Sequence, residues 1–225
     1  TPVNDATFPG YILNGNTVID PSDDGFRVEN DADSNTITNN SLVFTAQPKG
    51  NGFSIYGGSD SNYLAYNRAM NCTDAYKISN SDSNTIYSCT SLYSRGAGFA
   101  VADNSKFNLI ASCTSTLDTT FGIWAWSNLG LNTYRYNYID RIRTGDGMNI
   151  GEDNSGFTSN TIDSPGTNGI LLNTADSCVF IANRVSRAGT WGIKLENGSD
   201  SNAFNDNIAE TGMSDGFSLN ASDSN

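Results

Sequence analysis

Three groups of residues have types and spacings that could do chemistry. The first is a carboxylate pair, Asp140 and Asp163, 23 residues apart, with Arg141, Arg143 and Arg187 close by in the repeat. Two carboxylates beside arginine suit acid–base chemistry on a sugar chain, with the guanidinium neutralising a uronate or steadying developing charge. The alternative is a solvated ion-pair network. The second group is Trp124 and Trp126 in GIWAW, with Asn149 one repeat on. Two indoles on one strand face could stack on sugar rings, hold a second subunit, or lie under a covering loop. The third is a run of aspartates at near-constant spacing: Asp33, Asp60, Asp82, Asp153, Asp176 and Asp200. These could close Asx turns, each accepting a backbone N–H two residues on. They could also line up as a strip bridging Ca²⁺, the one cofactor the sequence suggests and does not require.

Composition narrows the classes. The chain has 225 residues, a net charge of −12 and a pI near 4.1, which argues against nucleic acid and anionic membrane as partners. No apolar run approaches ~18 residues, so no membrane insertion is expected. No signal peptide is visible at Thr1, and the chain reads as a mature or excised segment. Histidine is absent, which removes the commonest general base from every enzymatic reading. Four cysteines are too few for a disulfide framework in a chain this long. Four N-x-S/T sequons, at Asn39, Asn71, Asn197 and Asn220, carry little information in a chain so rich in Asn, Ser and Thr.

The elements that must position these residues follow from a repeat. SDSN occurs at 59–62, 81–84, 199–202 and 222–225, with near-copies at 32–35 and 175–178. Its Asn marks a column at Asn35, Asn62, Asn84, Asn108, Asn132, Asn202 and Asn225, with Ser155 and Cys178 in the gaps. Five residues later comes a second column: Asn40, Asn67, Cys89, Cys113, Asn137, Asn160, Asn183 and Asn207. A third column is small: Gly25, Gly52, Ala75, Gly98, Gly122, Gly147, Gly169, Gly192 and Gly216. After it, apolar residues alternate, as in GFSIY and GIKLE, which means a strand with one face inward. A second short strand follows the second Asn column, as in NYID and NTID. About 23 residues with two or three strands and polar turns predict one coil of a solenoid, stacked by parallel pairing, with inward Asn ladders along it.

The pattern GIxL…SxSNTIxxNxI resembles the right-handed parallel beta-helix repeat proteins, particularly the NosD-like and pectate-lyase-like carbohydrate-associated group. The likeness covers nearly the whole chain. It implies an all-β fold of about nine coils of 22–27 residues, one domain over 1–225, with 1–20 a partial first coil. It implies an extracellular or cell-surface setting. The Asp-Pro-His-Glu and Gly-His-Asp signatures of the enzymes in this group cannot occur without histidine. The leading expectation is therefore a non-catalytic structural or glycan-contacting module. A polysaccharide lyase, hydrolase or epimerase, and a tailspike-like receptor-binding rod, are the alternatives. Partners would be a polysaccharide or cell-envelope glycan, and the chain stopping mid-coil at Asn225 suggests further chain or end-to-end or lateral self-association. Residues from Phe26 and Val28 to Phe217 and Leu219 should form one buried stack. Cys89 and Cys113 should be stacked neighbours, reduced rather than bridged, and Cys72 and Cys178 lie too far apart to pair.

Overall fold

The computed structural model describes residues 10–210, 214–220, 222 and 223. Within them there is no helix, and the chain winds into three parallel sheets of nine strands each. Each coil supplies one strand to each sheet, for example Thr133–Arg135, Tyr138–Asp140 and Met148–Ile150. The repeat therefore holds three strands, the extra one being the SNTI segment between the two Asn columns. At ~4.8 Å per coil the rod is roughly 40–45 Å long. Asn225 and residues 1–9, part of the expected first coil, lie outside the described residues.

The corners explain the recurring tetrapeptide. Its second serine takes the left-handed conformation, as at Ser34, Ser61, Ser83, Ser177 and Ser201. A single residue with positive φ bends the chain sharply from one sheet to the next. The Asn after it points inward, and its amide closes the gap between coils. Asn35 N and Nδ2 donate to Asn62 Oδ1 at 2.8 and 2.9 Å, and Asn62, Asn84 and Asn108 continue the series. The second column does the same from Asn16 to Asn207. Backbone groups that the bend would orphan are thereby satisfied inside the rod.

The Asp of SDSN works differently from the expected Asx turn. Asp33 Oδ1 accepts the N–H of Asp60 at 2.7 Å, Asp60 that of Asp82 at 2.6 Å, and Asp82 that of Lys106 at 3.0 Å. Asp153, Asp176 and Asp200 repeat the pattern. Each carboxylate caps the next coil rather than its own turn. In-register stacking places the next N–H closer than one two residues along a tightly bent corner.

The core is one continuous column. Phe26, Phe53, Tyr76 and Phe99 stack at 4.6, 5.1 and 4.9 Å on the third sheet. Beyond Phe99 the large rings move to the first sheet, where Tyr134, Phe157, Phe180 and Phe204 stack at 4.7–4.8 Å. The third sheet there carries Ile123, Met148, Ile170 and Ile193, so a large residue on one wall faces an aliphatic one on another. Phe217 and Leu219 depart from expectation: they are 49% and 65% exposed. Their strand, Phe217–Leu219, pairs only with Ile193–Glu196, and no described strand covers its other side.

All four cysteines are buried and free. Cys89 N–H donates to Cys113 Sγ at 3.5 Å, and Cys113 N–H to Asn137 Oδ1 at 2.9 Å, so both thiols stand in the Asn ladder. Burial pushes the Cys178 thiol up to about 12, which keeps it protonated and unreactive. Two acids are also fully inside. Asp118 accepts from Ser91 Oγ and Ser115 Oγ, both at 2.7 Å, and from Ser94 N–H at 2.6 Å, yet desolvation raises it to about 6. Glu152 accepts from Asn132 Nδ2 at 3.0 Å. Its second oxygen and the neighbouring Tyr134 hydroxyl each lack a partner, and desolvation raises Glu152 to about 7.

Candidate functional site

The outer face of the third sheet departs most from the repeat between Phe121 and Glu196. The strand Phe121–Ser127 has seven residues where most strands have three or four. Alternation puts Ile123 and Ala125 inside, both fully buried, and Trp124 and Trp126 outside, both half-buried, while Phe121 departs from the alternation and is half-buried beside Trp124. Phe121 and Trp124 lie 6.4 Å apart at 15°, and Trp124 and Trp126 6.4 Å apart at 29°, so three rings form one aromatic row across the rod. Small residues flank the row. Trp124 and Trp126 sit beside Ala100 and Ala102 of the preceding coil, and Trp124 beside Asn149 of the next. Trp126 lies over Gly151, where a Cβ would fall 2.6 Å from the indole.

The following coils supply polar groups. Backbone register places Phe121, Asp146, Asn168 and Trp191 in one column on successive coils. Asp146 is nearly buried and accepts from Asn149 Nδ2 at 2.8 Å, Thr167 Oγ1 at 2.5 Å, Asn168 Nδ2 at 2.7 Å and Asn168 N–H at 3.1 Å. The side-chain amide oxygen of Asn168, Oδ1, is buried with no partner. On the next coil Lys194 lies 4.4 Å from the Trp191 ring centroid and 2.5 Å from Glu196. Asp146 and Asn168 thus sit between two aromatic borders three coils, or ~14 Å, apart. Aromatic faces take the apolar face of a ring, and the fixed carboxylate and amides take its hydroxyls.

Asp140 and Asp163 stand elsewhere, as register partners on the outer face of the second sheet. Arg141 Nε lies 2.7 Å from Asp140 Oδ2, and Arg187 Nε donates to Asp163 Oδ1 at 2.8 Å while its Nη2 contacts the other oxygen. The Arg187 hydrogen bond, with help from Ser186, holds the Asp163 carboxyl below the usual carboxylate range. Both arginines occupy left-handed corner positions, which throws their side chains outward. Arg143 is not part of this cluster: its guanidinium lies 5.4 Å from the Tyr93 ring. The structure therefore gathers Trp124, Trp126 and Asn149 on one sheet, and Asp140, Asp163, Arg141 and Arg187 on another. The aspartates from Asp33 to Asp200 run along a third line, the corner between the third and first sheets. Among the described residues no group of three or more His, Cys, Asp or Glu side chains converges as a metal cage.

Sequence reasoning missed Phe121, Asp146, Asn168 and Trp191. A signal was present: the position before the small column holds Asp24, Asn51, Asp74 and Ala97 in the early coils, then turns aromatic at Phe121 and Trp191.

No curated protein sequence matches the chain. Solved structures share its fold at low identity. The catalytic domain of a GH87 alpha-1,3-glucanase in complex with tetrasaccharides has a TM-score of 0.62 at 10% identity, over 96% of this chain and 59% of that one. The Siphovirus 9NA tailspike receptor binding domain gives 0.64 at 10% identity, over 88% and 51%. The periplasmic alginate epimerase AlgG gives 0.58 at 11% identity, over 84% and 60%. The chain thus spans between half and three-fifths of the length of these structures. The sequence family described as right handed beta helix region matches residues 7–139. That is more than half of the chain, and with the three parallel sheets it establishes that this protein belongs to the right-handed beta helix family.

Proposed function

We propose that this protein is a glycan-binding β-helix of an extracellular or cell-surface setting, whose third-sheet outer face holds a saccharide without transforming it. The observation that carries the reading is the row Phe121–Trp124–Trp126 beside the Asp146–Asn149–Asn168 cluster. The buried side-chain oxygen of Asn168, Oδ1, finds a donor there if a ligand hydroxyl or a water supplies one. The solved structures of the same fold support the choice of ligand class: one holds tetrasaccharides, one is a receptor binding domain, one is an alginate epimerase. Binding is favoured over catalysis because Asp140 and Asp163, the carboxylate pair available for acid–base work, are each committed to an arginine. A depressed Asp163 is also a poor proton donor near neutral pH.

The test is calorimetric titration with neutral tetrasaccharides, α-1,3-linked glucan first. Trp124→Ala with Trp126→Ala should remove binding while leaving the Tm within a few degrees. Retained affinity in that variant refutes the platform. Turnover of any polysaccharide that disappears in Asp140→Asn with Asp163→Asn refutes the non-catalytic reading.

A further inference from the structure

Four Asn-Gly pairs occur in the chain, at 14–15, 51–52, 168–169 and 197–198. In this dipeptide the glycine nitrogen can attack the side-chain Cγ of the preceding asparagine, because glycine has no Cβ to shield it. The attack needs a glycine N–H free of hydrogen bonds, open space around it and an asparagine side chain that can turn. Three of the pairs are held against it. Gly52 N–H donates to Asp74 O at 2.9 Å, while the Asn51 amide donates to Tyr56 Oη at 2.7 Å and accepts from Asp74 N–H at 3.0 Å. Gly169 N–H donates to Trp191 O at 2.9 Å, and Asn168 is buried with its Nδ2 on Asp146 Oδ1. An added Cβ would fall 2.4 Å from the Ala75 carbonyl oxygen at Gly52 and 2.1 Å from Val185 at Gly169, so both glycines are tightly packed. Asn14 is exposed, but Gly15 N–H donates to Thr38 O at 3.1 Å, and Asn14 Oδ1 accepts from Thr38 Oγ1 and Asn39 Nδ2.

Asn197–Gly198 differs on each count. Both residues are exposed and both have positive φ, 56° and 75°, at the corner after the strand Ile193–Glu196. Among the described residues none accepts from Gly198 N–H, and nothing beyond its chain neighbours lies within 4 Å of where a Cβ would stand. The Asn197 side chain is tied by one exposed contact, Nδ2 to Asn173 Oδ1 at 2.9 Å. We propose that Asn197 is a spontaneous modification site, which deamidates in the folded protein. Gly198 N bonds to Asn197 Cγ, the Cγ–Nδ2 bond breaks, and Nδ2 leaves as ammonia with the proton from Gly198 N. Water then opens the cyclic imide at either carbonyl, leaving aspartate or isoaspartate. The product adds one negative charge to a net of −12, next to Glu196, and takes the donor from Asn173 Oδ1. Isoaspartate also lengthens the backbone by one carbon at a left-handed corner.

Prolonged incubation of the native protein in mildly alkaline buffer, followed by peptide mapping with mass spectrometry, tests this. Peptides carrying residue 197 should gain the mass of an amide-to-acid change and split into two chromatographic forms. One form should accept methyl groups from S-adenosylmethionine through an isoaspartyl methyltransferase. The peptides of Asn14, Asn51 and Asn168, read in the same digest, should convert at least about five-fold more slowly, since each must first break a hydrogen bond to react. In protein held unfolded by urea, all four pairs should convert at similar rates, because the protection belongs to the fold. Gly198→Ala, whose Cβ shields the nitrogen, should lose most of the conversion at Asn197 in the folded protein. Conversion of another pair as fast as Asn197 in the folded protein, or an intact Asn197 under conditions where the unfolded chain converts, overturns the proposal. So does undiminished conversion in Gly198→Ala, or a preference for Asn197 that persists in urea.

Discussion

Glu152→Gln should make the protein more stable above neutral pH and flatten its pH dependence. Glu152 is 1% exposed, accepts one hydrogen bond, from Asn132, and has one oxygen without a partner. Desolvation therefore dominates and lifts its pKa from 4.5 to about 7. Between those values the folded state keeps a proton that the unfolded chain has released. The contribution is fully present below about 4.5 and is lost as pH rises to about 7. At about 1.4 kcal/mol per pH unit, a gap of about 2.5 units amounts to roughly 3 kcal/mol of order-of-magnitude destabilisation at pH 8. For a domain of this size that corresponds to about 6–12 °C in Tm. Gln has nearly the same shape, can accept from Asn132, and carries no charge to desolvate. Thermal unfolding of native and variant protein from pH 4.5 to 8.5 measures the effect. The two curves should meet near the acidic end and diverge as pH rises, with the variant higher. Asp118, raised to about 6, contributes a slope of the same sign to both proteins and cancels in the difference. Parallel curves, or a variant less stable at pH 8, would show that the Glu152 charge is solvated or paired in the fold, and the reasoning would fail.

Further outcomes follow from single contacts. Asn108→Ala deprives the Asn84 N–H and the Ser81 carbonyl of partners inside the rod and leaves Asn132 Oδ1 with the backbone N–H of residue 108 alone, and should cost about 2–5 kcal/mol by denaturant unfolding. Arg187→Ala exposes a solvent-side pair to water and should change stability by less than about 1 kcal/mol, while the Asp163 carboxyl, followed by NMR, returns upward toward the ordinary range. Gly151→Ala places a methyl group into the Trp126 indole, so near-ultraviolet circular dichroism should change and binding of a neutral tetrasaccharide should weaken. Chelator should leave the Tm unchanged. Each aspartate of the SDSN line spends one oxygen on the next coil's N–H, and Ca²⁺ asks for about six to eight oxygens. A clear drop in Tm would restore the cation strip.

The fold was legible because every coil repeats the same three constraints. Inward Asn at 35, 62 and 84, the small residue at 52, 75 and 98, and the alternation after it each recur, so errors at one coil are corrected by the others. The strand between the Asn columns was harder to see as a separate element because Thr36–Thr38 and its partners are three residues long. The exposed ends of the stack, Phe217 and Leu219, could not be told from Phe26 by pattern, since burial there depends on which strands lie alongside and not on the residue.

The candidate sites are legible in the opposite way, as departures from the repeat. Phe121 and Trp191 replace Asp or Asn in their column, and Trp124 stands between Ala100 and Asn149. A substitution that breaks a stacking rule on the outer face gains nothing for the rod, because outward residues add little to the core. Its retention calls for another use, and the three rings in one row point to a ligand face. The acidic composition works as a second background. Arginines that follow it find carboxylates, as Arg141, Arg184 and Arg187 do. Arg143 has Asp140 three residues before it and Asp146 three after, yet it turns away from both to lie over Tyr93. Spacing alone assigned it to the Asp140 cluster. Arg141, at a left-handed corner, pairs with Asp140 beside it in sequence, whereas Arg143, two residues further along the same turn, reaches back to Tyr93. Side-chain direction at a bend is set by backbone φ, which residue spacing does not encode.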